Sequence, residues 1–451
     1  MFNASRIVLL CITVMTVALA TAAPAAPATL TKPKTIVKFN GVNGEDVFAS
    51  LTQGSDGNLY GTTAFGGANG SGTIFKVTPK GKHTILYDLC SQGSCADGAN
   101  GEWLTEGSDG NFYGQTFSGG TANAGTIFEI TPSGQFTSLY SFCSQTNCTD
   151  GSTPQSALVQ ASDGTFWGTT ISGGANNKGT VFKFVPGNAP TVVYSFCAQS
   201  NCADGTYPYT GLTLASDGNF YGVTAEGGSY GANCQTVIPY GCGTVFRITP
   251  SGTLTTLYTF CSQPNCTDGG VSQGQLIQAK DGNLYGTTNS GGAEQYGGPG
   301  QGTVFKISLQ GDLTTVYTFC TGSSCTDGLL PESGVIQAKD GNFYGTALLG
   351  GPEGWGSVFQ ITPKGKFSVV TSFDQTDGAS VAAGLVQANN GKLYGGTQEG
   401  GNTTCQYGCG VLYSVRAKGG EAIVFNRPSG HAGAIPASVQ RPAMPIAVNG
   451  R

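Results

Sequence analysis

The chain has 451 residues, of which 39% are hydrophobic and only 10% are charged, and its formal net charge is −5. No cluster of Lys or Arg interrupts this acidic balance, so the composition argues against nucleic acid as a partner, because such binding depends on phosphate neutralisation. The hydrophobic content is too high for a disordered chain, and the 73 glycines recur at fixed places, which is typical of turns.

The first predicted element is a secretory signal peptide over residues 1–22. Arg6 precedes an apolar run over residues 7–19, and the small residues after it predict cleavage behind Ala20 or Ala22. An uncleaved signal anchor is the alternative, but the run is short for a membrane span. An Ala/Pro-rich linker follows over residues 23–34. We therefore expect a secreted or periplasmic protein whose mature chain has no membrane span.

Residues 35–426 contain seven copies of a nine-residue motif, which reads Ser-Asp-Gly-Asn-Leu-Tyr-Gly-Thr-Thr in the first copy. Successive copies are 50 to 64 residues apart, and a period of this size is typical of propeller blades or other repeat arrays. The residues that mark the copies are Asp56, Asp109, Asp163, Asp217, Asp281, Asp340 and Asn390.

Each copy predicts four short strands, which we label A to D. In the third copy they cover residues 157–161, 166–170, 179–184 and 191–196, where β-branched and aromatic residues dominate. Apolar residues on both sides of the C and D strands suit sheets packed between neighbours. The prediction is an all-β fold, a seven-bladed β-propeller of four-stranded antiparallel blades. A linear β-solenoid is the alternative.

The beginning and end of the repeat region each offer a strand that could close the ring. Residues 35–39 resemble a D strand but have no A, B or C strand before them, so they could complete the last blade. Residues 421–425 compete for the same place. The tail over residues 427–451 has no strand pattern, and we expect it to be disordered.

These motifs resemble the GloVer repeat of choice-of-anchor tandem-repeat proteins, a family of bacterial exported proteins. The resemblance rests on the Ser-Asp-Gly-Asn-Leu/Phe-Tyr-Gly core, the Gly-Gly after it, the Gly-Thr-Val-Phe-Lys strand and the Tyr-Ser-Phe close, over about residues 35–426. It implies export and often surface attachment, and no established activity. The residues after Arg427 contain neither an apolar span nor a sorting-type motif, so the tail does not predict an anchor.

Apart from Cys11 in the signal peptide, the cysteines form seven close pairs, each within one loop. In an exported chain this pattern predicts local disulfides that stiffen loops. Zinc is the competing interpretation, because paired thiolates are its usual ligands, but zinc sites bring two pairs together. The predicted disulfides are Cys90/Cys95, Cys143/Cys148, Cys197/Cys202, Cys234/Cys242, Cys261/Cys266, Cys320/Cys325 and Cys405/Cys409.

In a propeller the A–B and C–D turns share one face, here called the turn face, and the B–C and D–A loops share the other, the loop face. The turns are short and uniform, whereas the changes in length and the cysteine pairs fall in the loops. A variable face on a rigid scaffold is typical of a binding surface. Its candidate ligand-binding residues are Tyr230, Tyr240, Tyr296, Trp355, Tyr407, Glu226 and Glu399.

Exposed rings beside carboxylates suit a carbohydrate or peptide ligand, although each ring could instead pack its own loop. Trp355 and Tyr240 are the strongest candidates, because the repeat requires no aromatic residue at either place. The function predicted is thus a secreted scaffold that binds an unknown extracellular ligand or protein partner. The alternatives are a carbohydrate-active hydrolase or lyase using Glu226 and Glu399, and a structural repeat protein of the cell envelope.

Catalysis and metal binding have weaker support. The chain has two histidines, His83 and His431, too few for the common Ser-His or Cys-His mechanisms. A tight turn explains each repeated Asp-Gly, and no Asp-x-Asp-x-Asp-Gly calcium loop occurs. We therefore predict no cofactor, no metal and no catalytic residue, and the chain is not expected to be an enzyme.

Overall fold

The computed structural model describes residues 30, 32–228, 234, 241–292, 300–322 and 324–417. Within them the chain forms 28 β-strands, which assemble into seven four-stranded antiparallel sheets. The seven-bladed β-propeller predicted from the repeat is confirmed. The predicted signal peptide, most of the linker and the tail over 427–451 lie outside the described residues. No helix among the described residues has the length and apolar character that a membrane crossing requires.

The first four blades each contain an A, B, C and D strand in chain order. They are β2 (Thr52–Gln53), β3 (Leu59–Thr62), β4 (Thr73–Val77) and β5 (His83–Asp88); β6 (Ala99–Glu106), β7 (Phe112–Ser118), β8 (Thr126–Ile130) and β9 (Phe136–Ser141); β10 (Val159–Gln160), β11 (Phe166–Thr170), β12 (Thr180–Phe184) and β13 (Thr191–Ser195); and β14 (Thr213–Leu214), β15 (Phe220–Thr224), β16 (Thr244–Ile248) and β17 (Leu254–Thr259).

The last three blades follow the same order, except that the D strand of the seventh comes from the start of the chain. They are β18 (Ile277–Gln278), β19 (Leu284–Thr288), β20 (Thr303–Ile307) and β21 (Leu313–Thr318); β22 (Ile336–Gln337), β23 (Phe343–Ala347), β24 (Ser357–Ile361) and β25 (Phe367–Ser372); and β26 (Val386–Gln387), β27 (Lys392–Gly396), β28 (Val411–Arg416) and β1 (Lys34–Lys38). One-turn 3-10 helices lie in four D–A loops: η1 (Gly93–Cys95), η2 (Thr146–Cys148), η3 (Ser200–Cys202) and η4 (Pro264–Cys266).

Strand β1 closes the ring by pairing antiparallel with β28. Lys34 lies opposite Ser414 and Lys38 opposite Val411, so the first strand of the chain supplies the outer strand of the last blade. The competing segment, residues 421–425, lies outside the described residues. A second contact supports the closure, because the Asn389 amide donates to Gln53 Oε1 at 2.8 Å and joins the last blade to the first.

The repeated motif holds its own turn and also the next blade. In the first blade the Tyr60 hydroxyl donates to Asp56 Oδ2 at 2.7 Å, while Asp56 Oδ1 accepts the Asn58 amide at 2.9 Å. The Tyr60 ring is fully buried and stacks on Phe112 of the second blade, with 3.9 Å between ring centroids. Burial raises the pKa of Tyr60, and the hydrogen bond to Asp56 raises it further. One tyrosine therefore joins a turn to a neighbouring blade.

The last glycine of the motif makes room for the core of the blade. A Cβ atom at Gly61 would lie 2.6 Å from Leu51 Cδ2 and 2.8 Å from the Phe75 ring, closer than side-chain atoms pack. The A-strand leucine and the C-strand phenylalanine can meet over this position only because no side chain is there.

Two details of the predicted strands were wrong. The A strands are two residues long in six blades, shorter than the five residues predicted, and β6 alone reaches eight. The C strands are buried on both faces as predicted, but most D strands are half-exposed, as in β13. A D strand is the outer edge of its blade, so no further strand covers it.

Candidate ligand-binding face

The loop face is built by pairing each D–A loop with the B–C loop of the blade that the D–A loop leads into. In the fourth blade the Thr206 amide donates to the Glu226 carbonyl at 2.9 Å, and in the seventh the Ala379 amide donates to the Glu399 carbonyl at 2.9 Å. Glu226 and Glu399 thus occupy equivalent positions in blades three steps apart in a ring of seven. Such positions lie on nearly opposite sides of the ring, so this pair of carboxylates does not converge.

Five D–A loops carry a disulfide together with a buried or half-buried aspartate that ties the loop to the D strand. In the second blade Asp150 accepts the Tyr140 hydroxyl at 2.8 Å and the Ser144 and Gln145 amides at 2.9 and 3.3 Å. Equivalent tyrosine contacts involve Asp97, Asp204, Asp268 and Asp327. The clamp was not predicted, although a Cys-x-Asp-Gly pattern recurs in all five loops and is its signal in the sequence.

All fourteen cysteines of the seven predicted pairs are disulfide-bonded within their own loops. Such a number of disulfides is typical of proteins that fold outside the cytoplasm. The bonds are Cys90–Cys95, Cys143–Cys148, Cys197–Cys202, Cys234–Cys242, Cys261–Cys266, Cys320–Cys325 and Cys405–Cys409.

A pocket of about 110 Å³ lies where the last blade meets the first, and we call it the seam pocket. Phe65 and Tyr407 line it, and they are 40% and 44% exposed. They belong to the few large hydrophobic or aromatic side chains that the described residues expose to this extent. The complete lining is Glu45, Asp46, Phe65, Gln398, Glu399, Gln406, Tyr407 and Gly408. Two candidate residues from the sequence, Tyr407 and Glu399, are therefore brought together here.

Glu226 lies in a different cluster, between the third and fourth blades. Burial raises the pKa of Glu226, and the Lys178 ammonium opposes this shift. Lys178 Nζ donates to the Tyr207 hydroxyl at 2.6 Å and lies 4.6 Å from the centre of that ring. The pKa of Tyr209 is also raised, by burial first and then by Glu226 and Tyr207. Lys178 therefore interacts with residues of this cluster, and Glu226 belongs to a half-buried polar group.

Trp355 is less exposed to solvent than its place in an irregular loop predicts. Its side chain is half-buried and packs against the hydrophobic cluster between the sixth and seventh blades, which includes Val381. Its carbonyl accepts the Ser380 amide at 3.1 Å. Three other candidates, Tyr230, Tyr240 and Tyr296, lie outside the described residues.

The central channel is a second cavity, of about 820 Å³, lined by the A strands. Trp103 lines it, and its ring meets the edge of Phe48 at 5.7 Å between centroids. Trp103 is not among the residues predicted from the sequence. Its place beside the A-strand leucine could have revealed it, because the equivalent residues in other blades are mostly small: Ser50, Ala157, Gly211, Gly334 and Gly384.

One buried and one half-buried carboxyl group, Glu102 and Glu332, were also not predicted from the sequence. Glu102 in β6 is 5% exposed, and its Oε2 atom has no hydrogen-bond partner among the described residues. Burial raises its pKa well above the usual range, and the nearby Asp46 carboxylate raises it further. Burial also raises the pKa of Glu332 to about 7. The two groups belong to the second and sixth blades, and neither contributes to the pKa shift of the other.

The family model for the Gloeobacter/Verrucomicrobia repeat matches this sequence at residues 25–238, 87–299 and 298–441. The chain belongs to this repeat family. The matched regions cover the described propeller and agree with the resemblance seen in the motifs. No curated protein matches the chain.

Several solved structures resemble this member of the repeat family. Two are extracellular domains of putative hybrid two-component systems from B. thetaiotaomicron, with TM-scores of 0.51 and 0.54 and identities of 14% and 11%. They cover 84% and 87% of this chain, which in turn covers only 40% and 43% of theirs. A putative 6-phosphogluconolactonase from Bacteroides uniformis has 16% identity over 71% of this chain and 83% of its own, with a TM-score of 0.45. At identities this low, the two extracellular domains indicate the fold and not the activity.

Proposed function

We propose that this repeat protein is an extracytoplasmic binding propeller that holds a carbohydrate ligand at the seam pocket on its loop face. The observation that carries the proposal is the pairing of two exposed rings, Phe65 and Tyr407, with the carboxylates and amides of one pocket. Aromatic faces pack against the apolar faces of sugar rings, and carboxylate and amide groups bond their hydroxyls.

The size of the pocket limits what it can hold. A volume of about 110 Å³ is below the roughly 300–1,000 Å³ of pockets that enclose a whole drug-sized ligand. One terminal group of the ligand enters the pocket, and the remainder lies across the surrounding loop face. Val42, which is 75% exposed, lies three residues before Glu45 in the loop that leads into the first blade.

The charge of the pocket narrows the class of ligand. Glu45, Asp46 and Glu399 all line it, and none of its lining residues is a Lys or Arg. Bringing an anionic sugar to three carboxylates is unfavourable, so neutral or amino sugars are favoured over uronic and sialic acids. The dispersed positions of Glu226 and Glu399 support binding over hydrolysis by that pair.

A glycan array probed with the purified mature protein tests this function. We expect binding to neutral or amino sugars, with little binding to glycans that end in a carboxylate. Binding restricted to acidic glycans would contradict the proposed site, and an array without any binding would favour the structural repeat protein.

A further inference from the structure

Two disulfides meet at the boundary between the fourth and fifth blades. Cys234–Cys242 lies in the B–C loop of the fourth blade, and Cys261–Cys266 lies in the D–A loop after β17. The sulfur atoms of Cys242, Cys261 and Cys266 all lie within 4.8 Å of one another. Among the described residues, this is the only group of three or more His, Cys, Asp or Glu side chains that are close enough to share a metal ion.

The two loops are held together by more than their sulfur atoms. The Val271 amide, in the loop after Cys266, donates to the Cys242 carbonyl at 2.9 Å. A Cβ atom added to the neighbouring Gly270 would lie 3.7 Å from Cys242 Sγ. The two cysteine-bearing loops are thus also joined by a backbone contact that does not involve their sulfur atoms.

The surroundings of these sulfur atoms suit a thiophilic cation. The four cysteines are 1% to 3% exposed and belong to a hydrophobic cluster that also contains Val245, Phe260 and Leu276. Hard cations such as calcium need oxygen ligands, which this cluster does not offer, whereas thiolates prefer zinc and other soft metals.

The geometry requires only small movements. Zinc with four sulfur ligands at about 2.3 Å places those sulfur atoms about 3.8 Å apart. Three of the four sulfur atoms already lie within 4.8 Å of one another, and opening each disulfide lets its own two atoms separate. The four-residue spacer between Cys261 and Cys266 is within the range that structural zinc sites use.

We propose that Cys234, Cys242, Cys261 and Cys266 form a four-thiolate zinc site when a dithiol or phosphine reductant opens their two disulfides. Reduction of the two bonds takes four electrons from the reductant. The four protons come from the dithiol, or from water when a phosphine is oxidised to its oxide, and zinc then displaces these four thiol protons. Bound metal would keep the two loops joined in the reduced protein. The competing zinc interpretation thus applies where, among the described residues, the sulfur atoms of two cysteine pairs come together.

The test uses the mature protein, reduced anaerobically with a phosphine, incubated with zinc and desalted. We expect one zinc per chain by elemental analysis, and cobalt in place of zinc should give the thiolate charge-transfer and tetrahedral d–d absorption of a cysteine site. Cys242→Ser and Cys266→Ser should each lower metal retention at least tenfold. The matched control is Cys148→Ser, which removes one cysteine from an isolated pair and should retain one metal.

Reduction could unfold the other loops, so a second variant isolates the site. It replaces the other ten cysteines of the mature chain with serine and keeps only the four proposed ligands. Zinc should bind with one-to-one stoichiometry and raise the melting temperature of this variant. Reduced wild-type protein that retains no metal, equal loss in Cys148→Ser and Cys266→Ser, or a melting temperature of the four-cysteine variant that zinc leaves unchanged would overturn the proposal.

Discussion

The turn face and the loop face of this propeller use their residues differently. On the turn face, the same contact recurs between the motif tyrosine and its turn residue, in six blades: Asp56–Tyr60, Asp109–Tyr113, Asp217–Tyr221, Asp281–Tyr285, Asp340–Tyr344 and Asn390–Tyr394. On the loop face, the position before the Gly-Gly changes from blade to blade, through Phe65, Ser118, Ser172, Glu226, Ser290, Leu349 and Glu399. The turn face therefore repeats one stabilising contact in six blades, whereas the loop face combines recurrent clamps with a position whose chemistry varies.

The largest expected effect is on the repeated contact. Tyr60→Ala removes a fully buried ring that stacks on the next blade, so we expect the free energy of unfolding to fall by about 3–5 kcal/mol. Denaturant unfolding of the mature protein measures it. A loss below about 1 kcal/mol would show that the motif does not carry the stability of the ring.

The clamps of the loop face should come next. Asp150→Ala leaves the Tyr140 hydroxyl and the Ser144 and Gln145 amides without their acceptor, which should cost about 2–3 kcal/mol. Removing the neighbouring disulfide with Cys143→Ser and Cys148→Ser should cost no more than about 2 kcal/mol, because the loop it closes is short. Unfolding of the two variants under the same conditions compares them, and a much larger loss for the disulfide variant would reverse the order.

A pH dependence distinguishes Glu102 from the exposed carboxylates of either face. Because burial raises its folded-state pKa, the folded protein binds more protons than the unfolded chain, and stability falls as pH rises from about 4.3 towards the folded pKa. Glu102→Gln removes this titration. Over that window the variant should gain on the wild type by about 1.4 kcal/mol for each unit of pKa shift. Unfolding curves at several pH values measure the difference. If the stabilities of the two proteins changed with pH in the same way, the raised pKa of Glu102 would be contradicted.

The smallest effect on stability is expected at the seam pocket, where binding should change most. Phe65→Ala and Tyr407→Ala truncate exposed rings, so each should change the free energy of unfolding by less than about 0.5 kcal/mol. Each substitution should make the binding free energy of a glycan identified on the array less favourable by about 1–3 kcal/mol, as measured by calorimetry. The matched control is Val185→Ala, since Val185 is 46% exposed on the turn face. Equal binding by all three variants would place the ligand elsewhere, with the channel beside Trp103 as the next surface to test.

The candidate site was less predictable from the sequence than the blades were. The position of Tyr407 and Glu399 on the loop face follows from the loop lengths, but their partner Phe65 belongs to a regular blade with no unusual loop. Trp355 lies in an irregular loop, which suggested exposure, yet its ring packs against the neighbouring blade. Loop irregularity indicates where a surface can vary, and only packing decides whether a given ring is exposed.

The sequence by itself determined the number of blades, the order of strands within each blade and the partners within each cysteine-bearing loop. These features depend on residues close together along the chain, where alternating apolar residues, Asp-Gly turns and short cysteine spacings act locally. Only the tertiary structure decided that β1 pairs with β28 and that Phe65 meets Tyr407. It also decided that Asp46 lies near Glu102 and that the Cys234–Cys242 pair lies against Cys261–Cys266. The first of these contacts joins the two ends of the chain within the seventh blade, and the others join neighbouring blades. The side chains that meet there are fixed by how the blades pack and by how the ring closes, which no local pattern encodes.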